Sequence, residues 1–363
     1  MAAPFIIGLT RPVTESRLDV RNAFDSTLVD TLSVATVADV DEAVAAAKIA
    51  SKQPFPVHER VSALYAAADN LENHAAEVAL LLAREGSKTI REAQREPVRA
   101  AEVLRMAAEV ARTMAGETLP FDARPGSEKR VGYFVRKPLG VIACILPFND
   151  PVALVAHKVG PAIAAGNAVV LKPDPSSSLA VLRTCELMLE AGIPAGRINV
   201  VTGGAEPGKR LVEHPDVRMI SFTGGRTTGE AVARNAGIKR LSLELGSNSP
   251  VIIMPDARLE AAVRAVSDGA FAQAGQNCLG VQRVYVHSSI YDTFRGLLRE
   301  HVSSLKAGHS LDDSVDVCQM MRPSEADRVK ARIVRHDRKN RPCNRNARNP
   351  HQEIGRASCR ERV

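Results

Sequence analysis

Cys278 stands in the run Gly275-Gln276-Asn277-Cys278-Leu279-Gly280, where small and polar neighbours form a turn through which a substrate can approach a thiol. Earlier in the chain one carboxylate, Glu244, sits among apolar neighbours in Leu243-Glu244-Leu245-Gly246. A thiol as nucleophile and a carboxylate as base are the two groups that thiol-based covalent catalysis needs. Burial between two leucines would disfavour the charged form of Glu244 and make it a stronger base for activating water. Both residues also have a structural reading: a free cysteine is most often a small buried hydrophobe, and Glu244 would serve equally as half of an ion pair. Asn149, in Leu146-Pro147-Phe148-Asn149-Asp150-Pro151, carries an amide able to donate to an oxyanion. One such donor is typically worth about 3–4 kcal/mol in a transition state, although asparagine is also common in turns.

The elements that must position these residues follow from periodicity. Residues 36–115 read as consecutive helices, with apolar residues at helical spacing in Val40, Ala43, Val44, Ala47 and again in Val61, Leu64, Ala68, Leu71. Asp39 and Pro97 are read as helix-start signals. Pro125-Gly126 marks a turn, and 130–136 alternates like a half-exposed strand. From 139 onward, short apolar runs at 140–146, 168–171, 198–201 and 219–222 alternate with helical segments such as 151–165 and 177–191. This rhythm predicts a parallel sheet covered on both faces, with ligands at the carboxyl ends of its strands. A second unit starts with a strand at 250–254, followed by a helix at 259–274, Cys278, a strand at 283–287 and a helix at 291–305.

Composition narrows the function classes. The chain has 363 residues, of which 45% are hydrophobic and 25% charged, as in ordinary globular proteins with a large core. Its net charge of +7 lies entirely in residues 331–363, which hold ten basic and three acidic side chains, so the body has no basic signature for nucleic acid. The cysteines at 144, 185, 278, 318, 343 and 359 show no metal-ligand spacing, and no metal is expected. A reducing, cytoplasmic setting is expected, because there is no leader-like start and no apolar run of about 20 residues. After Ile333 both periodicity and strand signals stop. Residues 353–363 resemble the conceptual translation of a sequencing-adapter oligonucleotide, and 334–363 are read as a non-native, disordered tail.

Residues 20 to about 333 resemble the NAD(P)-dependent aldehyde dehydrogenase superfamily. The resemblance rests on Leu146-Pro-Phe-Asn149-Asp-Pro, Leu171-Lys172-Pro, the stretch from Gly192-Ile-Pro to Val-Thr-Gly203, Phe222-Thr-Gly-Gly225, Leu243-Glu244-Leu-Gly and Gly275-Gln-Asn-Cys278 in order. It implies an α/β fold: a Rossmann-type parallel-sheet cofactor domain with a helical N-terminal segment over 1–245, and an incomplete α/β catalytic domain over 246–333. It also implies that Cys278 attacks an aldehyde to give a thiohemiacetal and then a thioester, that Glu244 activates the hydrolytic water, and that Asn149 with the backbone N–H of Cys278 holds the oxyanion. NAD(P)+ is the implied cofactor. Lys172 would hold the adenosine ribose, and Gly204, Gly208, Gly224 and Gly225 would let backbone approach the cofactor at helix N-termini. Ile145, Pro147, Phe148, Phe222, Thr223 and Leu245 complete the implied cofactor contacts. The Gly-x-Gly-x-x-Gly fingerprint is absent, as it is from this superfamily.

Three departures qualify these implications. Many NAD-preferring members carry a glutamate three residues after the lysine, where this chain has Pro175, so NADP is predicted to be tolerated. Gly225 stands where a serine often contacts the pyrophosphate. The Glu-x-Phe-Gly-Pro segment, the last catalytic strands and the subunit-pairing arm of homodimeric or homotetrameric members are not recognisable, so the chain as written is expected to be largely idle and to expose apolar surface. The implied partner is a small aldehyde, polar or phosphorylated, with Arg283 and His157 as candidates to meet an anion; a strand-leading arginine is also commonly a solvated charge. Acyl release to coenzyme A, or a non-catalytic fragment that keeps the fold, are the alternatives.

Overall fold

The structure is a computed structural model and describes residues 2–340. The chain divides into two compact units. The first is built from Met1–Asn22, Ser26–Gly86 and Ile90–Leu245; the second holds Ala23–Asp25, Ser87–Thr89 and the chain from Gly246 onward.

The first unit opens with the antiparallel pair β1 (Arg17–Arg21) and β2 (Leu28–Ser33). Four helices follow: α1 (Val37–Lys52), α2 (Val57–Asn73), α3 (Ala75–Glu85) and α4 (Ile90–Thr113). Two expected helix starts are corrected here. Thr36 is the N-cap of α1, and Asp39 is its third residue, closing a capping box with the Thr36 hydroxyl and backbone N–H. Pro97 lies inside α4, which begins seven residues earlier at Ile90. There the proline lacks the N–H that would reach back to Ala93, and its burial in the packed helical layer offsets that loss.

A short hairpin of β3 (Glu117–Leu119) and β4 (Gly132–Phe134) leads into the sheet. The strand expected over 130–136 is reduced to these three residues of β4. The chain then alternates β5 (Val141–Ile145), α5 (Pro151–Ala164), β6 (Ala168–Lys172), α6 (Ser178–Glu190), β7 (Ile198–Val200), α7 (Ala205–Glu213), β8 (Val217–Thr223), α8 (Arg226–Asn235) and β9 (Arg240–Glu244). All five strands run parallel in the order β7-β6-β5-β8-β9. That is a doubly wound arrangement with its switch point between β5 and β8.

Alternation along β5 shows why both faces are covered. Ile142 and Cys144 join a core with α2, α4, α5 and α6, whereas Val141 and Ala143 join a second core with α1, α7 and α8. The helical layer is close-packed because α4 is rich in alanine and meets α5 at a glycine. A Cβ on Gly160 would lie 3.2 Å from Leu104 Cδ2 and 3.4 Å from Ala107 Cβ, so any larger residue there would crowd the α4–α5 contact.

The second unit contains β10 (Ser249–Ile253), α9 (Leu259–Phe271), β11 (Val281–Val286), α10 (Tyr291–Ser304) and α11 (Pro323–Asn340). β10 and β11 pair in parallel, and Ile253, Val263, Val266 and Phe294 form their core. Ile252, Tyr285 and Leu279 are exposed. α11 runs past Ile333 to Asn340, and near its start Arg328 pairs with Glu325 at 2.6 Å. The rest of the expected tail, 341–363, lies outside the described residues.

Candidate active site

The carboxyl edge of the five-stranded sheet gathers the expected residues of the first unit. Ile145 ends β5, and Pro147, Phe148 and Asn149 follow it; Lys172 ends β6; Gly204 and Gly208 follow β7. Phe222 and Thr223 end β8, Gly224 and Gly225 follow, and Glu244 ends β9 with Leu245 next. Parallel strands bring these segments together because each crossover returns the chain to the same edge.

Several local features make this edge receptive. Asn149 Oδ1 and Thr223 Oγ1 are buried without a hydrogen-bond partner among the described residues. Such orphaned polar atoms are costly in a folded protein, about 1–3 kcal/mol each, unless a ligand or water completes them. The N-caps of α7 and α8 are Gly204 and Gly225, which have no side chain to cap with, and a Cβ at either would meet nothing within 4 Å among the described residues. Two helix N-termini with open approach and unused N–H groups suit phosphate oxygens. The Lys172 stem packs beside Gly208, where a Cβ would lie 3.7 Å from Lys172 Cδ. Phe222 and Gly224 are interlocked, since a Cβ on Gly224 would come within 2.6 Å of Phe222 Cζ.

Glu244 departs from the sequence reading. Its side chain is exposed rather than desolvated between leucines, because β9 is the edge strand and its residues are mostly exposed, with Leu243 half-buried. Lys158, which the sequence did not single out, lies among this group. Its ammonium donates to Ser221 Oγ at 2.9 Å, and burial pulls its pKa down while Cys144 and Glu244 oppose that. Burial pushes the Cys144 thiol up to about 12, so this cysteine is inert beside the sheet.

In the second unit, Cys278 is half-buried in the loop between α9 and β11. The expected helix to 274 stops at Phe271, because Gln273 (φ 54°), Ala274 (φ 55°) and Gly275 (φ 74°) are successively left-handed. Two non-glycine residues in that region cost roughly 1–3 kcal/mol each. Neighbouring side chains hold the turn. Gln276 Nε2 donates to Ser87 Oγ and to Gln273 O, both at 3.0 Å, and its Oε1 accepts from Met321 N at 3.1 Å. Asn277 Oδ1 accepts from Leu279 N at 2.8 Å, and the Ser247 hydroxyl donates to the Cys278 carbonyl. Gln276, Asn277 and Ser247 were not singled out by function; adjacency to the cysteine was the only signal for the first two.

Arg283 is engaged within the unit: its Nη2 donates to Asn248 O at 2.9 Å and its Nη1 to Tyr285 Oη at 3.3 Å. His157 fits an anion poorly, because burial, then the charges of Arg99 and Lys158, push its imidazole below the ordinary value, with Asp150 opposing. Among the described residues no cluster of His, Cys, Asp and Glu could hold a metal, and no helix is long and apolar enough to cross a membrane.

Known proteins give this geometry its context. The sequence profile of the Aldehyde dehydrogenase family matches residues 10–350. A 3-sulfolactaldehyde dehydrogenase of Priestia aryabhattai is 45% identical over 317 residues, covering 87% of this chain and 66% of that protein. Aspartate-semialdehyde dehydrogenase 1 of Pseudomonas canavaninivorans is 44% identical over 315 residues, 86% of this chain and 67% of that protein. The chain therefore spans about two thirds of the length of these curated relatives. The crystal structure of an NADP-dependent glyceraldehyde-3-phosphate dehydrogenase from Bacillus halodurans C-125, complexed with NADP, has a TM-score of 0.88 at 35% identity, over 92% of this chain and 71% of its own. The expected α/β dehydrogenase fold and the NAD(P)+ cofactor of the family are borne out by these matches. With the profile spanning most of its length and relatives this similar, the chain belongs to the aldehyde dehydrogenase family.

Proposed function

We propose that the chain carries the cofactor site and nucleophile of an enzyme that oxidises a small anionic aldehyde to its carboxylate with NAD(P)+. The observation that carries this reading is the carboxyl edge of the sheet. Asn149 with its unpartnered amide oxygen, Thr223 with its unpartnered hydroxyl and the open N-termini of α7 and α8 line one edge, as a dinucleotide-binding fold requires. Gly204, Gly208, Gly225, Lys172 and Thr223 are the residues that would hold the cofactor. When bound, the cofactor is the acceptor of the hydride that turns the thiohemiacetal on Cys278 into a thioester.

The remaining steps belong to the chain. Cys278 Sγ, as thiolate, bonds to the aldehyde carbon, and the carbonyl oxygen takes the negative charge. The Asn149 amide donates to that oxygen. Glu244 removes a proton from water, whose hydroxide adds to the thioester carbon; the C–S bond breaks, giving the thiolate again and a carboxylic acid, which releases its proton to solvent as the carboxylate. The exposure of Glu244 suits a group that must meet water. An anionic substrate is supported by the relatives, which act on 3-sulfolactaldehyde, aspartate semialdehyde and glyceraldehyde 3-phosphate.

NADP acceptance is supported by the turn after β6. Pro175–Ser177 places no carboxylate at 175, and Asp174 is directed into the turn, accepting from Ser176 N at 3.0 Å and Ser176 Oγ at 2.5 Å. Comparative titration is expected to give NADP+ binding at least as tight as NAD+, and NAD+ binding about tenfold tighter or more contradicts this reading. For the chemistry, aldehyde and NADP+ are mixed with the protein, quenched and digested. An acyl group on Cys278, absent from Cys278→Ser and released by water without coenzyme A, is expected here in place of the largely idle chain anticipated from the sequence; an unmodified Cys278 rejects this reading and returns to that expectation. Release that requires coenzyme A selects the acyl-transferring alternative.

A further inference from the structure

The four helices that follow β5, β6, β7 and β8 all begin at the carboxyl edge of the sheet, but α5 and α6 have their first-turn N–H groups taken by side chains, whereas α8 leaves its own open and α7 leaves those of Ala205 and Glu206, its third residue being Pro207. At α5, Val152 N and Ala153 N both donate to Glu96 Oε1, at 2.8 and 2.9 Å. At α6, Leu179 N donates to Glu85 Oε2 at 2.9 Å and Ala180 N to Glu85 Oε1 at 2.7 Å. These are the second and third residues of each helix, the N–H groups a local capping side chain would normally take. The helices' own N-caps, Asp150 and Ser177, make no such bond. The carboxyls instead arrive from far along the chain: Glu85 ends α3 and Glu96 lies in α4. Both are buried, at 0% and 4% exposure.

Each gripped helix follows a loop that carries expected site residues. The loop before α5 holds Pro147, Phe148 and Asn149, and Arg99, one turn beyond Glu96, lies 3.8 Å from Asp150 at its end. The loop before α6 follows Lys172 and contains Pro175. α5 is also the first helix of the doubly wound sheet, the one whose N-terminus ordinarily receives the pyrophosphate in dinucleotide-binding folds. Here an internal carboxyl fills that position.

We propose that Glu96 and Glu85 are positioning residues: Glu96 fixes the loop that carries Asn149, Glu85 fixes the loop that follows Lys172, and together they leave α7 and α8 to receive the cofactor's phosphates. The inference rests on the cofactor reading above. It assigns the two carboxyls to different parts of the ligand. Glu96 governs the half that reaches the reacting carbon, and Glu85 governs the adenosine half.

The test is calorimetric titration of the 363-residue chain and its variants with NADP+ and with adenosine 2′,5′-bisphosphate, which presents only the adenosine half. Glu96→Ala is expected to weaken NADP+ by about tenfold while changing the bisphosphate by less than about threefold. Glu85→Ala is expected to weaken both ligands alike. Glu96→Gln is expected to bind NADP+ more tightly than Glu96→Ala, because an amide oxygen can still accept the Val152 and Ala153 N–H bonds; Glu85→Gln restores only part, because Leu179 N and Ala180 N bond to different oxygens of Glu85. If Glu96→Ala does not fold, Glu96→Asp, which withdraws the carboxyl by one methylene, is expected to show the same split at smaller size. Equal loss of both ligands in the Glu96 variants, or no loss of either, overturns the inference. Wild-type protein that binds neither ligand overturns the cofactor reading itself.

Discussion

Asn149 and Glu244 illustrate how a residue's surroundings set its task. The Asn149 amide oxygen is buried without a hydrogen-bond partner among the described residues, and the other end of the same amide is the donor proposed to meet the developing oxyanion. Asn149→Ala is expected to lower kcat by about 10²–10³ with cofactor affinity nearly unchanged, read by steady-state kinetics beside NADP+ titration. A loss confined to KM would mean that Asn149 binds substrate and does not stabilise the transition state. Glu244 is exposed at the edge strand, where water can reach its carboxylate. Because its proposed work begins after the thioester has formed, Glu244→Gln is expected to keep a burst of about one reduced cofactor per Cys278 and then stall. Rapid-mixing absorbance measures this, and loss of the burst itself would place Glu244 earlier in the reaction.

Glu85 tests the packing of elements through pH. Burial raises its pKa from the ordinary 4.5 to about 8; the backbone N–H groups of Ala180 and Leu179 pull the other way, and the nearby Glu96 and Asp174 add to the rise. The folded chain thus keeps a proton that the unfolded chain gives up above about pH 4.5. The stability this proton contributes is full below that value and is lost as pH rises toward 8. Denaturant melts of wild type and Glu85→Gln between about pH 5 and about pH 8 are expected to show a decline in the wild type that is smaller in the variant. Parallel curves would show that Glu85 is ionised throughout. Local sequence rules recovered most of these elements: β5, β6, β8, α5 and α6 fall within two residues of the runs that apolar periodicity marked out. They failed where tertiary contacts overrule local signals. Pro97 reads as a helix start but is buried inside α4, and the left-handed Gln273 and Ala274 end α9 early with no glycine at either position.

For the molecule as a whole, the doubly wound sheet makes cofactor binding and stability a single quantity for the first unit. A ligand at one hundred times its Kd stabilises by about 2.7 kcal/mol. In a unit of this size that corresponds to a rise of roughly 5–10 °C in Tm. Thermal melts with saturating NADP+ are expected to show it, and an unshifted transition would argue that the carboxyl edge is not the cofactor site. The net charge of +7 belongs to residues 331–363, most of which lie outside the described residues, and gives the sheet no field of its own.

Order along the chain was enough to establish the βαβα rhythm, the carboxyl-edge placement of Lys172 and Phe222–Gly225, and the contiguous Gly-Gln-Asn-Cys motif that ends at Cys278. These follow from alternation, turn chemistry and contiguous residues, all of which are local. Local order could not show that Glu85 and Glu96 reach helices 94 and 56 positions away, that Lys158 bonds to Ser221, or that Glu244 emerges exposed on an edge strand. Those outcomes depend on which strand lies at the edge and how closely α4 approaches α5 across Gly160. Only packing in three dimensions fixes them, because burial and long-range hydrogen bonds have no period in sequence.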